Sequence, residues 1–134
     1  MKVFLDTNIV IDYLSNREPF GGKAKQIFYL SETSDVELCV AALSFTTIYY
    51  VLHRQCEHRR LLDLLEKLRS LMTVVSTDEE DIANAIKSDF SDFEDAVQYY
   101  TAFSANVDCI VTRNTKDYRM SEIPVYTPDD FLAK

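Results

Sequence analysis

The run Val3-Phe4-Leu5 is apolar at every position. A strand with one face in water alternates apolar and polar residues, so a run that does not alternate predicts a strand covered on both faces. Comparable short runs recur at Val36 to Ala41, Thr73 to Val75, Cys109 to Val111 and near Val125, and helical patterns stand between them. The spacing predicts helices over Asn8 to Leu14, Ala24 to Leu30, Ser44 to about Cys56 and Arg59 to Leu71. Two more follow, one ending near Lys87 and one over Asp92 to Ala105, and Pro128 opens a short last helix. Ser44 is the expected cap of its helix, and Thr77 with Glu80 reads as a capping box. Asn16 to Gly22 holds Pro19 and the only two glycines, which predicts a loop. Strands alternating with helices predict an α/β fold: a three-layer α/β/α sandwich with a central, mostly parallel sheet.

At 134 residues the chain is expected to form one domain over residues 1–134, with 47% hydrophobic residues, eight Phe and eight Tyr to build its core. The net charge of −8 argues against a protein that coats nucleic acid through clustered Lys and Arg. It leaves room for a nuclease whose acidic pocket is neutralised by divalent cations. Cys39, Cys56 and Cys109 are odd in number and form no CxxC pair, which favours a reduced cytoplasmic interior over disulfide or zinc chemistry. No run reaches the roughly 18 uncharged apolar residues of a spanning helix, and no membrane partner is expected. Gly21 and Gly22 fit neither a P-loop nor a GxGxxG motif.

Asp6 ends the first apolar run and opens Asp6-Thr7-Asn8; Asp95 closes Asp92-Phe93-Glu94-Asp95 at the head of a helix. A third polar segment, Thr112-Arg113-Asn114-Thr115-Lys116-Asp117, follows Cys109-Ile110-Val111. Acids after strands and at helix starts converge at the carboxyl edge of a parallel sheet, where α/β proteins build sites. Each has an ordinary structural reading too. Asp6 is a ready helix cap, Asp92, Glu94 and Asp95 complement a helix dipole, and Asn114 and Asp117 suit turns. Gathered carboxylates supply the oxygen ligands that magnesium and manganese prefer, and a dication relieves their repulsion.

The segments Phe4-Leu5-Asp6-Thr7-Asn8, Asp92-Phe93-Glu94-Asp95-Ala96 and Val111 to Tyr118, in that order, resemble those of the PIN-domain ribonucleases, many of which are VapC-type toxins of toxin–antitoxin pairs. The resemblance covers nearly the whole chain. It implies a Mg2+- or Mn2+-dependent endoribonuclease, with Asp6, Asp95 and Asp117 as metal-binding acids and Asn114 completing the catalytic set. Thr7, Asn8, Asp92, Glu94 and Thr112 would support them. It also implies an RNA substrate, a small antitoxin partner that covers the acidic groove, and a homodimer. The chain departs from the family at Thr47, where the family usually carries Glu. A hydroxyl brings no charge, so lower metal affinity is expected, and a PIN-like module that binds RNA or a protein partner without cutting stays open as the alternative. An aspartyl-phosphate phosphatase ranks last, because Asn8 holds the place of the second Asp such enzymes need.

The remaining polar and aromatic clusters carry bland readings. Leu61 to Leu71 is expected to be core or dimer surface, and Tyr49, Tyr50, Tyr99 and Tyr100 core or interface. His53-Arg54 and His58-Arg59-Arg60 are expected to be a solvated helix junction.

Overall fold

A computed structural model describes Met1 to Lys134. Five strands, β1 (Lys2–Leu5), β2 (Glu37–Ala41), β3 (Thr73–Val75), β4 (Cys109–Val111) and β5 (Val125–Tyr126), form one sheet in the order β3-β2-β1-β4-β5. Every pairing is parallel. The seven α-helices are α1 (Thr7–Ser15), α2 (Gly21–Thr33), α3 (Ser44–Leu52), α4 (His58–Leu71), α5 (Glu79–Lys87), α6 (Phe93–Ser104) and α7 (Pro128–Leu132). A 3-10 turn spans Thr115–Tyr118.

The non-alternating runs explain the layers. Phe4 lies in register with Cys39 and Ile110, and Val3 with Leu38 and Cys109. Side chains of period two send these two rows to opposite faces. Val3, Leu5, Leu38, Val40, Cys109 and Val111 pack with Ile9, Ile27, Ile48, Leu61 and Leu68 from α1 to α4. Phe4, Cys39, Ala41 and Ile110 pack on the other face with Tyr99 and Ala102 of α6. Helix α5 joins that layer through Ala85 against Ala96 and Val97. The three-layer α/β/α sandwich is the architecture expected from the sequence.

Local differences have local causes. Ser44 is the first residue of α3, not its cap; Leu43 holds that place, and the buried Ser44 Oγ lies 2.7 Å from Thr7 Oγ1. The capping box of α5 is Asp78 with Asp81 rather than Thr77 with Glu80. Thr77 instead spends its hydroxyl on Thr101 Oγ1 at 2.6 Å, and Asp81 accepts from the Asp78 N–H at 2.9 Å. Helix α2 starts at Gly21, inside the expected loop, and a Cβ there would come within 2.7 to 2.9 Å of Asn16, which glycine avoids. Of the leucines in α4 only Leu61 and Leu68 are fully buried. No helix is long and apolar enough to cross a membrane.

Strands β1, β2 and β3 step outward to one side, and the chain then returns to lay β4 on the other side of β1. The gap between the carboxyl ends of β1 and β4 is therefore the switch point of the sheet, where open α/β folds leave a crevice. Asp6 and Thr112 are the first residues beyond those two strands.

Candidate functional site

Asp6 leaves β1 with its N–H bonded to the Val111 carbonyl at 3.0 Å, which ties it to the end of β4. It is 5% exposed. Its Oδ1 accepts from the Asn8 N–H at 3.3 Å, so the capping role is real. Its Oδ2 accepts from Thr112 Oγ1 at 2.7 Å, and Gln98 Nε2 donates to Oδ1 at 3.4 Å. A carboxylate offers about four lone-pair sites, so Asp6 keeps acceptor capacity beyond these three donors. The cap and the candidate ligand are the same residue.

Helix α6 brings the second acid. Asp92 caps it, accepting from the Asp95 N–H at 2.9 Å, and Glu94 and Asp95 fill its first turn. One turn further, Gln98 is fully buried and accepts from both the N–H and the hydroxyl of Thr7 at 3.1 Å. Gln98 thus docks α6 against the start of α1, with Asp95 facing the β1–β4 crevice. Burial pushes the Asp95 carboxyl up to about 7, helped by the charges of Asp6, Asp92, Asp117 and Glu94 in that order. Burial also raises Glu94, with Asp92 and Asp6 adding to the rise and a hydrogen bond from Thr47 opposing it.

After β4, Thr112 is fully buried and its hydroxyl accepts from the Asn114 N–H at 3.2 Å while donating to Asp6. The 3-10 turn then carries Asp117, whose N–H bonds the Asn114 carbonyl at 3.1 Å. Beneath this rim lies Tyr118, 2% exposed, with a hydroxyl that has no hydrogen-bond partner. Burial raises its pKa, and the charges of Asp6, Asp95, Glu94 and Asp117 raise it further, so the phenol stays protonated.

Hydrogen bonds thus link Asp6, Thr112 and Asn114, Asp92 holds the turn that carries Asp95, and the charges of Asp6, Asp92, Asp117 and Glu94 all act on Asp95, with Thr47 beside Glu94. Two supporting residues are placed otherwise. The Thr7 hydroxyl is spent on Ser44 and Gln98 inside the fold, and Asn8 is exposed, contributing its backbone N–H. Gln98 and Tyr118 escaped the sequence reading. Gln98 had a signal, a polar residue three after Asp95 on the same helix face; Tyr118 stood only at the end of the third motif, with no role of its own.

The donor set suits a hard dication: oxygen atoms only, on carboxylates that repel one another until a cation arrives. No three His, Cys, Asp or Glu side chains stand close enough to close around one ion. Magnesium does not demand a closed protein cage, since it keeps several waters and binds through one or two carboxylates. Thiol chemistry has no place here, because burial pushes Cys39 and Cys109 up to about 11.

The family model for the PIN domain matches residues 2–116. Ribonuclease VapC1 of Aquifex aeolicus (strain VF5) is 25% identical over 138 residues, covering 99% of this chain and 94% of that protein. DNA-bound VapBC from Salmonella typhimurium superposes with a TM-score of 0.72 at 18% identity, covering 96% of this chain and 98% of that one. A toxin–antitoxin complex from Klebsiella pneumoniae gives a TM-score of 0.69 at 24% identity, covering 94% and 97%.

Proposed function

We propose that this chain, which belongs to the PIN-domain family, is a Mg2+- or Mn2+-dependent endoribonuclease and the toxin of a toxin–antitoxin pair. The observation that carries the reading is the pair formed by Asp6 at the end of β1 and Asp95 at the head of α6, where burial, and after it the charge of Asp6, pushes the Asp95 carboxyl up to about 7. Asp6 and Asp95 would hold the cation, which keeps several of its waters, with Asp117 and Asn114 beside them. When bound, it would supply charge for an attacking water and for the leaving oxygen of a phosphodiester.

The protein's own residues do the positioning. Thr112 fixes one Asp6 oxygen through its 2.7 Å donation, and Gln98 steadies the other. Asp92 holds the first turn of α6 in place through the Asp95 N–H. Thr47 on α3 lies near Glu94 of α6 and opposes the rise of its carboxyl. RNA is the substrate in this reading. A small antitoxin would cover the acidic groove, a second copy would complete a homodimer, and the site of action is the cytoplasm. The similarity to Ribonuclease VapC1 and to VapBC supports both the ribonuclease and the paired partner.

The test is cleavage of single-stranded RNA by wild type, Asp6→Asn and Asp95→Asn, with Mg2+ or Mn2+ and again with EDTA. Metal-dependent cleavage lost in both variants, with cooperative unfolding retained, supports the assignment. Full activity in both variants refutes it. Metal binding without cleavage in wild type would move the chain to the non-cutting alternative that Thr47 motivates.

A further inference from the structure

An acidic cluster on a chain of net charge −8 repels an RNA strand, so phosphates that flank the cut need cations close by. The structure has a concavity of about 520 Å3 that shares Asn114 with the acidic crevice and is lined by Phe20, Lys23, Arg113 and Asp129 among others. Its chemistry is opposite to that of the crevice.

Arg113 is fixed there from two sides. Its Nε lies 2.9 Å from Asp12 Oδ2, a charge contact without hydrogen-bond alignment, and Nη2 donates to Asp12 Oδ1 at 3.5 Å. Its guanidinium carbon stands 3.9 Å from the centre of the Phe20 ring. Asp12 is fully buried on α1, so this anchor is part of the core. Arg17 also approaches Asp12, at 3.7 Å, which leaves two guanidinium charges against one carboxylate. A guanidinium carries five N–H donors in a rigid fork, and Asp12 engages only one edge of it. The remaining donors are already oriented, the arrangement that suits a phosphate.

Lys23 adds a second cation. Its partner is Asp129 at 3.3 Å, with side-chain exposures of 50% and 75%. Such an exposed pair is weak and exchanges readily. Asp129 is the one acid on the lining and opposes any phosphate that enters. Phe20 is 37% exposed and offers an apolar edge beside the cations.

We propose that this concavity is a subsite for one nucleotide of single-stranded RNA next to the cut, its phosphate on Arg113 and Lys23 and its base or sugar against Phe20. The proposal rests on the nuclease reading for the direction of the strand, and its test separates the two.

The test measures binding of a fluorescein-labelled single-stranded RNA decamer by anisotropy across a KCl series, in Asp6→Asn protein so that nothing is cut. Lys23→Ala should weaken binding several-fold and reduce the salt slope by ~0.7, the share of one phosphate contact on a single strand. Phe20→Ala should weaken it about fivefold or more. Asp129→Asn should act in the opposite direction, tightening binding by freeing Lys23 and removing the opposing charge. Unchanged affinity in all three variants overturns the subsite. So does a pocket that takes an oligoglutamate peptide and ignores RNA, which would assign it to a protein partner. If wild type fails to cut RNA while these variants respond as stated, the nuclease reading fails and the subsite stands. If wild type cuts and the variants are silent, the subsite alone fails.

Discussion

Asp95→Asn should stabilise the protein in the absence of metal, by an amount that grows from about pH 4 and is complete above about pH 7. In the unfolded chain Asp95 titrates near its ordinary 3.8, and in the fold near 7. Between those values the folded state holds a proton that the unfolded state has released, so stability falls as pH rises through the window. Below 3.8 the penalty is absent; above about 7 it is complete. A tenfold change in proton affinity is ~1.4 kcal/mol, which bounds the penalty at ~4 kcal/mol. Asp95 is partly exposed, and screening by water reduces the figure to ~2 kcal/mol. Asparagine removes the charge and keeps the shape. It also removes a favourable charge from the first turn of α6, a loss of ~0.3–1 kcal/mol. The net expectation at pH 8 is a gain of ~1 kcal/mol, which raises the urea midpoint by ~0.5 M. The assay is urea unfolding followed by circular dichroism in EDTA, wild type against Asp95→Asn, at pH 4 and pH 8. At pH 4, where the folded Asp95 is already neutral, the two should differ by well under ~1 kcal/mol. A variant equally destabilised at both pH values would refute the electrostatic reasoning.

Tyr118→Phe should leave stability unchanged or raise it by up to ~1 kcal/mol, because it deletes a buried hydroxyl that has no partner; urea unfolding at pH 7 checks this, and a loss above ~1 kcal/mol would show a hidden partner. Thr112→Val should cost ~1.5–3 kcal/mol, since it removes the donor to the Asp6 carboxylate and the acceptor of the Asn114 N–H. Thr112→Ser should recover most of that in the same assay. Thr47→Glu adds a second carboxylate beside Glu94, so metal-free stability at pH 8 should fall while Mn2+ affinity rises. Calorimetric titration with Mn2+ reads the second effect, and unchanged affinity would show that position 47 does not reach the ion.

The layers of the fold were legible because both faces of β1 and β4 are covered, and two covered faces leave an unbroken apolar run that needs no partner information to recognise. Helix starts were less legible. Ser44 and Thr77 are good caps by type, but each hydroxyl is drawn to a distant side chain, Thr7 and Thr101. Those contacts exist only after the sheet has closed. The positions of Asp6 after β1 and Asp95 in the first turn of α6 were legible from the sequence pattern. Their coupling was not, since it depends on how deeply α6 settles against α1 through Gln98. The cationic concavity was wholly hidden: Asp12 on α1, Phe20 and Lys23 at the start of α2, and Arg113 after β4 lie on three separate segments, and Arg113 stood between two candidate site residues with no reading of its own.

The central claim is that the crevice between β1 and β4 is a divalent-cation site built on Asp6 and Asp95. Titration of the purified protein with Mn2+, followed by electron paramagnetic resonance of the free ion, measures it directly. Wild type should take up Mn2+ with an affinity that rises from pH 6 to pH 8 as Asp95 ionises, and Asp6→Asn should bind at least tenfold more weakly while unfolding as cooperatively as wild type. Equal Mn2+ uptake by the two proteins would contradict the account.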